Sequence, residues 1–450
     1  MRITLKKMRS SEKRLAENLF RIHSSEIEIV PDDRIIFKEY FDDQQRAAVS
    51  GAVNSPLSVI YGYPGTGKTT ITRSIIETFD SYGMSGVVTC PTAAASRRAK
   101  SVITDDGEKD FRVTFGTNHK ILGIVPGLEG SRKIEKLECD YILVDEGTMQ
   151  GNDISSIMLE AAVSGCRIIY VGDPNQLPSV SPGRVMLDII NSGVVPCFEL
   201  KNIHRQASES GIAQNCQRIM QGKSLLANDP GTGEKFNDFF FSSREDDSDI
   251  LRFVVKSFTK SIPDARGYDP VEDIQIISPG NKGTVGTENI NRTIREIIVP
   301  PGHEFSGYRI GDKVINKKNK ESQMGVINGD IGIVVESGRS GLTVDFGKGC
   351  GLNSDGIVDF NASNVSNLKH AFALTVHSSQ GCEYPCVITP LHTTHFMLLN
   401  RNNLYTAASR PRELFLASGS SRALSACLNN CANENRMTCL SEEMRRVWSD

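Results

Sequence analysis

Between an apolar run, Leu57 to Tyr61, and a helix-patterned run, Thr70 to Phe79, the chain carries Gly62-Tyr-Pro-Gly65-Thr66-Gly67-Lys68-Thr69. No other feature constrains the fold as strongly. Glycines at these offsets let successive backbone N–H groups turn inward, and a helix must begin where the loop ends. A strand feeding a helix in this way belongs to a parallel sheet, because the chain returns by a crossover. Further short apolar runs, Gly86 to Cys90, Tyr141 to Val144 and Arg167 to Val171, alternate with helical stretches across 41–200. That alternation predicts an α/β domain whose parallel sheet is covered on both faces. A second α/β region resumes at Ile274 to Ile277, after a polar, Gly-bearing stretch at 224–249 that reads as a surface loop or strand pair. From 305 to 360 the pattern changes to short strands at turn-rich spacing: Asp312 to Asn316, Gly325 to Gly329, Gly332 to Glu336 and Leu342 to Phe346. This predicts a small antiparallel β-module inserted into the second domain. Leu15, Ala16, Leu19, Phe20 and Ile22 share one helical face in the first forty residues, an appendage expected to pack on the domain that comes after it. The polar segments 103–112 and 123–137 read as excursions from the first sheet.

The loop's chemistry follows from its residue types. Inward N–H groups and the positive end of the next helix favour phosphate, Lys68 reaches the terminal phosphates of a nucleotide, and Thr69 offers a hydroxyl to Mg²⁺. Tyr141-Ile-Leu-Val-Asp145-Glu146 is an apolar strand ending in two carboxylates, suited to a metal-holding acid and a water-activating base. After the strand Arg167 to Val171, Gly172-Asp-Pro-Asn-Gln176 sets an amide at the sheet edge where ligands of such sheets bind, within reach of a γ-phosphate.

Composition narrows the setting. The chain has 450 residues, length for about three domains, with 39% hydrophobic content typical of a folded protein. Lys and Arg number 51 against 54 Asp and Glu, a net charge of −3, so no global basic field advertises nucleic acid. Such a partner would be held by local stretches; Lys313, Lys317, Lys318 and Lys320 form a basic run that reads either as one of these or as solvated strand and turn lysines. Eleven scattered cysteines predict reduced thiols and a cytoplasmic setting. Cys382/Cys386 and Cys427/Cys431 lack zinc-site spacing. No continuous apolar segment suggests a signal peptide or a membrane span.

Taken together these motifs resemble superfamily 1 helicases of the RecD-like branch, over nearly the whole chain. Phe41-Asp-Asp-Gln-Gln45-Arg-Ala-Ala48 is similar to the family's adenine-reading Q motif, and Thr89-Cys-Pro91-Thr92 to a strand end that touches single-stranded nucleic acid. Thr117 and His119 match the next strand-contacting motif, and Leu200 to Gln206 resembles motif IV, implying Arg205 as an arginine that approaches the γ-phosphate. Ile274 to Asn291 resembles a RecD-type segment with Ser278, Pro279 and Lys282 near the strand. Arg309 to Val314 and Val326 to Gly332 resemble the β-module carried inside the second motor domain. Ala373 to Glu383 and Leu404 to Arg410 look like motifs V and VI, implying Thr375 and His377 as strand contacts, Glu383 as a nucleotide contact and Arg410 as a second γ-phosphate sensor. Ser378 stands where the family usually has lysine before Ser-Gln-Gly, Gly147-Thr148 replaces the usual Ala/Val-Ser, and Ser409-Arg410-Pro411 the usual Thr-Arg-Ala. The tail at 435–440 resembles the family's closing segment.

The resemblance implies two RecA-like P-loop motor domains with parallel sheets and a small inserted SH3-like β-barrel. Their expected spans are 1–40 for the helical appendage, 41–200 for the first motor, 201–304 with 361–450 for the second, and 305–360 for the barrel. Within this frame the expected nucleotide contacts are Gln45, Gly62, Gly65, Thr66, Gly67, Lys68, Thr69, Thr70 and Glu383, with Mg²⁺ on Thr69 and Asp145. Expected catalytic groups are Lys68, Asp145, Glu146, Gln176, Arg205 and Arg410; expected strand contacts are Pro91, Thr92, Thr117, His119, Ser278, Lys282, Thr375 and His377. The activity implied is an ATP-dependent DNA helicase moving 5′ to 3′ on single-stranded DNA and opening forked duplex, with repair, recombination or replication proteins as further partners. An RNA-acting motor and a nucleotide-gated DNA-binding subunit of a larger repair or recombination assembly stay open as alternatives. A strand-separating wedge would fall in the excursion 123–137.

Overall fold

The computed structural model describes residues 6–105, 107–124, 134–202, 210–226, 236–318, 324–347, 350, 355–431 and 436–449. The chain divides into two units, Met1–Ser208 with Ala432–Asp450, and Glu209–Cys431.

In the first unit, β1 (Leu57–Gly62), β2 (Gly86–Cys90), β3 (Val113–Thr117), β4 (Tyr141–Val144), β5 (Arg167–Gly172) and β6 (Cys197–Leu200) form one sheet in the order β3-β2-β4-β5-β1-β6. Every pairing in it is parallel. The helices are α1 (Lys6–His23), α2 (Asp43–Val53), α3 (Lys68–Ser81), α4 (Ala93–Ile103), α5 (Asn118–Ile121), α6 (Asn152–Ala161) and α7 (Val185–Ser192). Neighbouring strand residues point to opposite faces, and both faces are covered. Ile60, Val88, Leu143 and Ile169 share a core with Val49 of α2, Ile75 and Phe79 of α3 and Ala99 of α4. Val59, Ile142, Val144 and Ile168 share the other core with Leu15 and Leu19 of α1, Leu159 of α6 and Ile189 of α7. Two buried faces explain why these strands read as continuous apolar runs instead of alternating ones.

The appendage packs as its apolar face predicts, with Leu15, Ala16, Leu19 and Ile22 fully buried. The C-terminal helix Leu440–Ser449, expected in the second motor domain, belongs instead to the first unit. Leu440 and Met444 are buried beside Leu15, Leu19 and Ile189, and Trp448 meets Phe20 edge-on at 5.1 Å. Burying this apolar stripe decides where the helix docks; proximity along the chain does not. Buried Glu12 seals the junction, accepting from Cys439 N at 2.8 Å and Asn152 Nδ2 at 3.3 Å.

The second unit continues with β7 (Phe239–Ser243) and β8 (Ile274–Ser278), then β9 (Lys313–Asn316), β10 (Ile331–Ser337), β11 (Gly341–Asp345), β12 (Ile357–Asn361), β13 (Leu368–His370), and last β14 (Ala373–Thr375), β15 (Tyr384–Leu391) and β16 (Pro411–Gly419). A five-stranded parallel sheet has the order β14-β8-β15-β16-β7. The inserted module is a five-stranded antiparallel sheet, β12-β11-β10-β9-β13, over a core of Val314, Val334, Leu342, Val344, Val358, Phe360 and Leu368. The expected strand Gly325 to Gly329 is a turn: both glycines take positive φ, 67° and 101°, a conformation that leaves the β region. The module also runs past 360, because β13 pairs with β9 and draws residues up to His370 into its sheet. The stretch 224–249, expected as a loop or strand pair, contains β7 and the start of the helix Asp247–Lys256.

Candidate functional site

The loop after β1 enters α3 with Gly65 and Gly67 at φ 77° and 83°. A Cβ at Gly62 would sit 2.6 Å from Leu200 O, so only glycine fits where β1 meets β6. Lys68 folds back, and its Nζ donates to Gly62 O at 2.6 Å and Tyr63 O at 2.8 Å. The ammonium is thus held on the loop that bears the N–H groups, next to where phosphate oxygens would sit. Gln45 is buried at the third position of α2, completing a capping box with Asp42, and its Nε2 donates to Thr66 O at 3.2 Å. It therefore braces the loop from behind. Thr66 Oγ1 closes the turn onto Tyr63 O at 2.8 Å, while Thr69 and Thr70 are half-buried in the first turn of α3.

Two strands away in the same sheet, β4 delivers Asp145 and Glu146 to the same carboxyl-terminal edge. Asp145 N donates to Thr89 O at 3.0 Å, which extends the β2–β4 pairing by one residue. Burial, and then the Glu146 carboxylate, push the Asp145 carboxyl up to about 6, with Arg98 and Lys68 opposing. A desolvated carboxylate next to a second one is short of positive charge, and a dication answers that need. The donors there, the Asp145 carboxylate and the Thr69 hydroxyl, are hard oxygens that fit Mg²⁺. Glu146 has φ 51° and ψ 40°, left-handed for a side chain that does not favour it. Between them lies β5, whose following loop carries Gln176; its Oε1 is buried without a hydrogen-bond partner among the described residues.

The expected strand contacts of this unit lie on the same edge. Thr92 caps α4, accepting from Ala95 N at 3.2 Å just after Pro91, and Thr117 caps α5, accepting from Lys120 N at 3.3 Å. His119 follows, half-buried. Beneath them runs a buried polar chain that sequence reasoning missed: Thr89 Oγ1 donates to Asn118 Oδ1 at 2.7 Å, Gln150 Nε2 to the same oxygen at 3.0 Å, and Ser155 Oγ to Gln150 Oε1 at 3.2 Å. It joins β2, α5, the segment after Glu146 and α6. No motif signals it, because Asn118 lies 29 residues from Thr89 and 32 from Gln150 along the chain.

In the second unit, Arg410 is buried after the helix Arg401–Ala408, donating to Thr406 O at 3.2 Å, Cys382 O at 3.4 Å and Ser409 Oγ at 3.3 Å. Among the described residues no carboxylate pairs with it. Glu383 is one residue from Cys382, on the turn into β15. Thr375 Oγ1 lies 3.0 Å from Ser378 Oγ at the end of β14, and His377 is exposed beside it. Lys282 is exposed, its carbonyl 2.7 Å from His395 Nε2. Ser278 departs from its expected part: it is fully buried and donates to Val285 O at 2.8 Å, shaping the 279–285 loop and leaving no face for a strand. Arg205 and residues 125–133 of the expected wedge lie outside the described residues.

With this geometry in place, comparison with known proteins adds a second line. The AAA domain family matches residues 40–230, and the UvrD-like helicase C-terminal domain family matches 370–416. An ATP-dependent RecD2 DNA helicase of Deinococcus radiodurans is 30% identical over 411 residues, covering 90% of this chain and 52% of that protein. By these matches the chain is similar to the RecD-like superfamily 1 helicases. A RecBCD enzyme subunit RecD of Mycobacterium tuberculosis is 26% identical to this RecD-like chain, covering 89% of it and 72% of the subunit. The RecD-like chain spans about half the length of the RecD2 relative. A crystal structure of Bacteroides Pif1 helicase with ADP-AlF3 and ssDNA superposes with a TM-score of 0.53 at 18% identity, over 92% of this chain and 98% of that one. At that identity the likeness is one of fold, two α/β domains of RecA-like type with parallel sheets. Among the described residues of this RecD-like chain, no helix is long and apolar enough to cross a membrane.

Proposed function

We propose that this chain is an ATP-dependent DNA helicase that moves 5′ to 3′ along single-stranded DNA and opens forked duplex. One observation carries the reading: the P-loop, the Asp145–Glu146 pair and the strand-contact ends Thr92 and Thr117 lie on one edge of one parallel sheet. Nucleotide chemistry and strand grip on one edge is what a motor needs, since a change at the phosphates then moves groups that touch the strand. The relatives support it: one is an ATP-dependent DNA helicase, and a Pif1 structure holds ADP-AlF3 with ssDNA.

In this reading the loop N–H groups cradle the β- and γ-phosphates, and Lys68 exchanges its bonds to Gly62 O and Tyr63 O for phosphate oxygens. Thr69 and Asp145 would hold Mg²⁺, which supplies charge neutralisation at the phosphates when bound. Glu146 accepts a proton from the attacking water, and Gln176 orients the γ-phosphate by donating from its NH₂. Arg205 and Arg410 are read as the arginines that stabilise the transferring phosphoryl group; among the described residues Arg410 is hydrogen-bonded to neutral oxygens. Gln45 acts through the loop it braces, and Glu383 contacts the nucleotide. Pro91, Thr92, Thr117, His119, Lys282, Thr375 and His377 grip the strand. The antiparallel module is read as the SH3-like barrel of the family.

The test is steady-state ATP hydrolysis in Mg²⁺ with and without oligo-dT, beside Lys68→Ala. Strand-stimulated turnover that disappears in the variant is expected; turnover indifferent to the strand would sink the reading. Similarity to RecBCD subunits favours a second reading, a motor that works within a larger repair or recombination assembly. Strand separation by the purified chain alone would exclude it.

A further inference from the structure

The tail segment 436–439, which the function proposed above leaves unused, lies along the loop that follows Gln176 in the first unit. Arg436 Nη1 donates to Gly183 O at 3.0 Å and to Ser181 O at 3.2 Å. Two residues on, Thr438 Oγ1 donates to Asp188 Oδ1 at 2.9 Å and accepts from Arg184 Nε at 3.2 Å. Among the described residues no carboxylate pairs with Arg436, which is half-buried, and burial draws its pKa down. A desolvated guanidinium is costly to place, and this one is spent on two backbone carbonyls of one loop. Docking the helix Leu440–Ser449 does not call for it, because Leu440, Met444 and Trp448 already bury the apolar stripe. On its other side the loop is tied to the residues that follow Glu146. Ser179 N donates to Thr148 O at 3.2 Å, and Asn152 N donates to Pro182 O at 2.9 Å. The approach is close: a Cβ at Gly151 would sit 2.7 Å from Ser181 Cβ and 2.9 Å from Pro182 O. Glu12 joins the two sides, accepting from Asn152 Nδ2 and from Cys439 N.

We propose that Arg436 and Thr438 are positioning residues for ATP hydrolysis: from the tail they fix the loop 179–184, and through it the settings of Gln176 and of the segment behind Glu146. This deepens the function proposed above and rests on it. Nucleotide binding is carried by the P-loop, on which none of these tail bonds falls. Hydrolysis asks more, since Glu146 and Gln176 must stand within a fraction of an ångström of the reacting atoms. Slack in the loop therefore costs transition-state stabilisation and leaves ground-state binding intact.

The test is steady-state ATP hydrolysis by the full chain in Mg²⁺ with and without saturating oligo-dT, read as kcat and KM separately, with the thermal midpoint of each protein measured beside it. Arg436→Met keeps the apolar stem and loses the donors, so kcat should fall about tenfold while KM for ATP stays within about twofold. Arg436→Lys, which keeps a cationic donor at similar reach, should recover most of that loss. Thr438→Val should show a smaller fall in kcat and Thr438→Ser none, which keeps the proposal exposed to test where Arg436→Met fails to fold. Val447→Ala loosens the packing of the helix Leu440–Ser449 away from the loop, and should lower the thermal midpoint at wild-type kcat. Wild-type kcat in Thr438→Val, and in Arg436→Met where it folds, would overturn the positioning alone. Losses of kcat that track the thermal midpoint, with Val447→Ala on the same line, would make the tail a structural brace and nothing more. A wild type without strand-stimulated turnover would remove the function proposed above, and the positioning with it.

Discussion

Glu146 shows what the site asks of single residues. A left-handed backbone costs a residue of this kind roughly 1–2 kcal/mol, and here it turns the chain straight after β4. Such strain is tolerated where function requires the placement. If Glu146 accepts the proton of the attacking water, Glu146→Gln should lower ATP turnover by about 100-fold or more while nucleotide still binds. Turnover within a few-fold of wild type would remove Glu146 from that role. That Lys68, Asp145 and Glu146 share one sheet edge was legible because a loop of fixed spacing and a strand ending in two acids carry their context with them. Ser278 was not: its neighbours match a strand-contact pattern, but its hydroxyl is spent on Val285 O inside the fold. Hydrogen-bond partners some thirty residues apart leave no mark in a motif, which is why the Asn118–Gln150 chain was invisible.

At the scale of elements, strands buried on both faces announce themselves as apolar runs, and β1, β2, β4, β5 and β8 were found that way. β3 is half-exposed, β6 carries Glu199 in four residues and β12 alternates exposed with buried positions, so none reads as a buried run. The C-terminal helix was misplaced because its docking depends on α1 and α7. The tail is also held by Asp188 of α7, which accepts from Thr438 Oγ1 at 2.9 Å and Arg184 Nε at 3.0 Å. Asp188 is fully buried, and burial pushes its carboxyl up to about 6. A folded pKa above the unfolded one means that the native state keeps the proton longer, so this group's ionisation removes stability as pH rises from about 4 to about 6. The shift corresponds to about 3 kcal/mol. Denaturant unfolding at pH 4 and pH 7 should therefore show the wild type losing about that much relative to Asp188→Asn. Parallel pH profiles for the two proteins would show that Asp188 carries no such penalty.

For the whole molecule, a net charge of −3 hides two local arrangements of opposite kind: the desolvated Asp145 carboxylate beside the P-loop, and a buried cation at Arg410 that no carboxylate pairs with among the described residues. The first asks for a dication and the second for phosphate, which is the charge pattern that the proposed motor needs. The two α/β units were legible from alternating strands and helices, and the module from its change of period. Its true extent was not, since β13 is a three-residue strand assigned by pairing alone. The claim that these parts make one motor is tested most directly by strand displacement from forked duplexes bearing a single-stranded tail of either polarity, with ATP and Mg²⁺ and the purified chain alone. The account predicts displacement from the 5′-tailed fork, lost on Lys68→Ala; ATP turnover without displacement from either fork would contradict it.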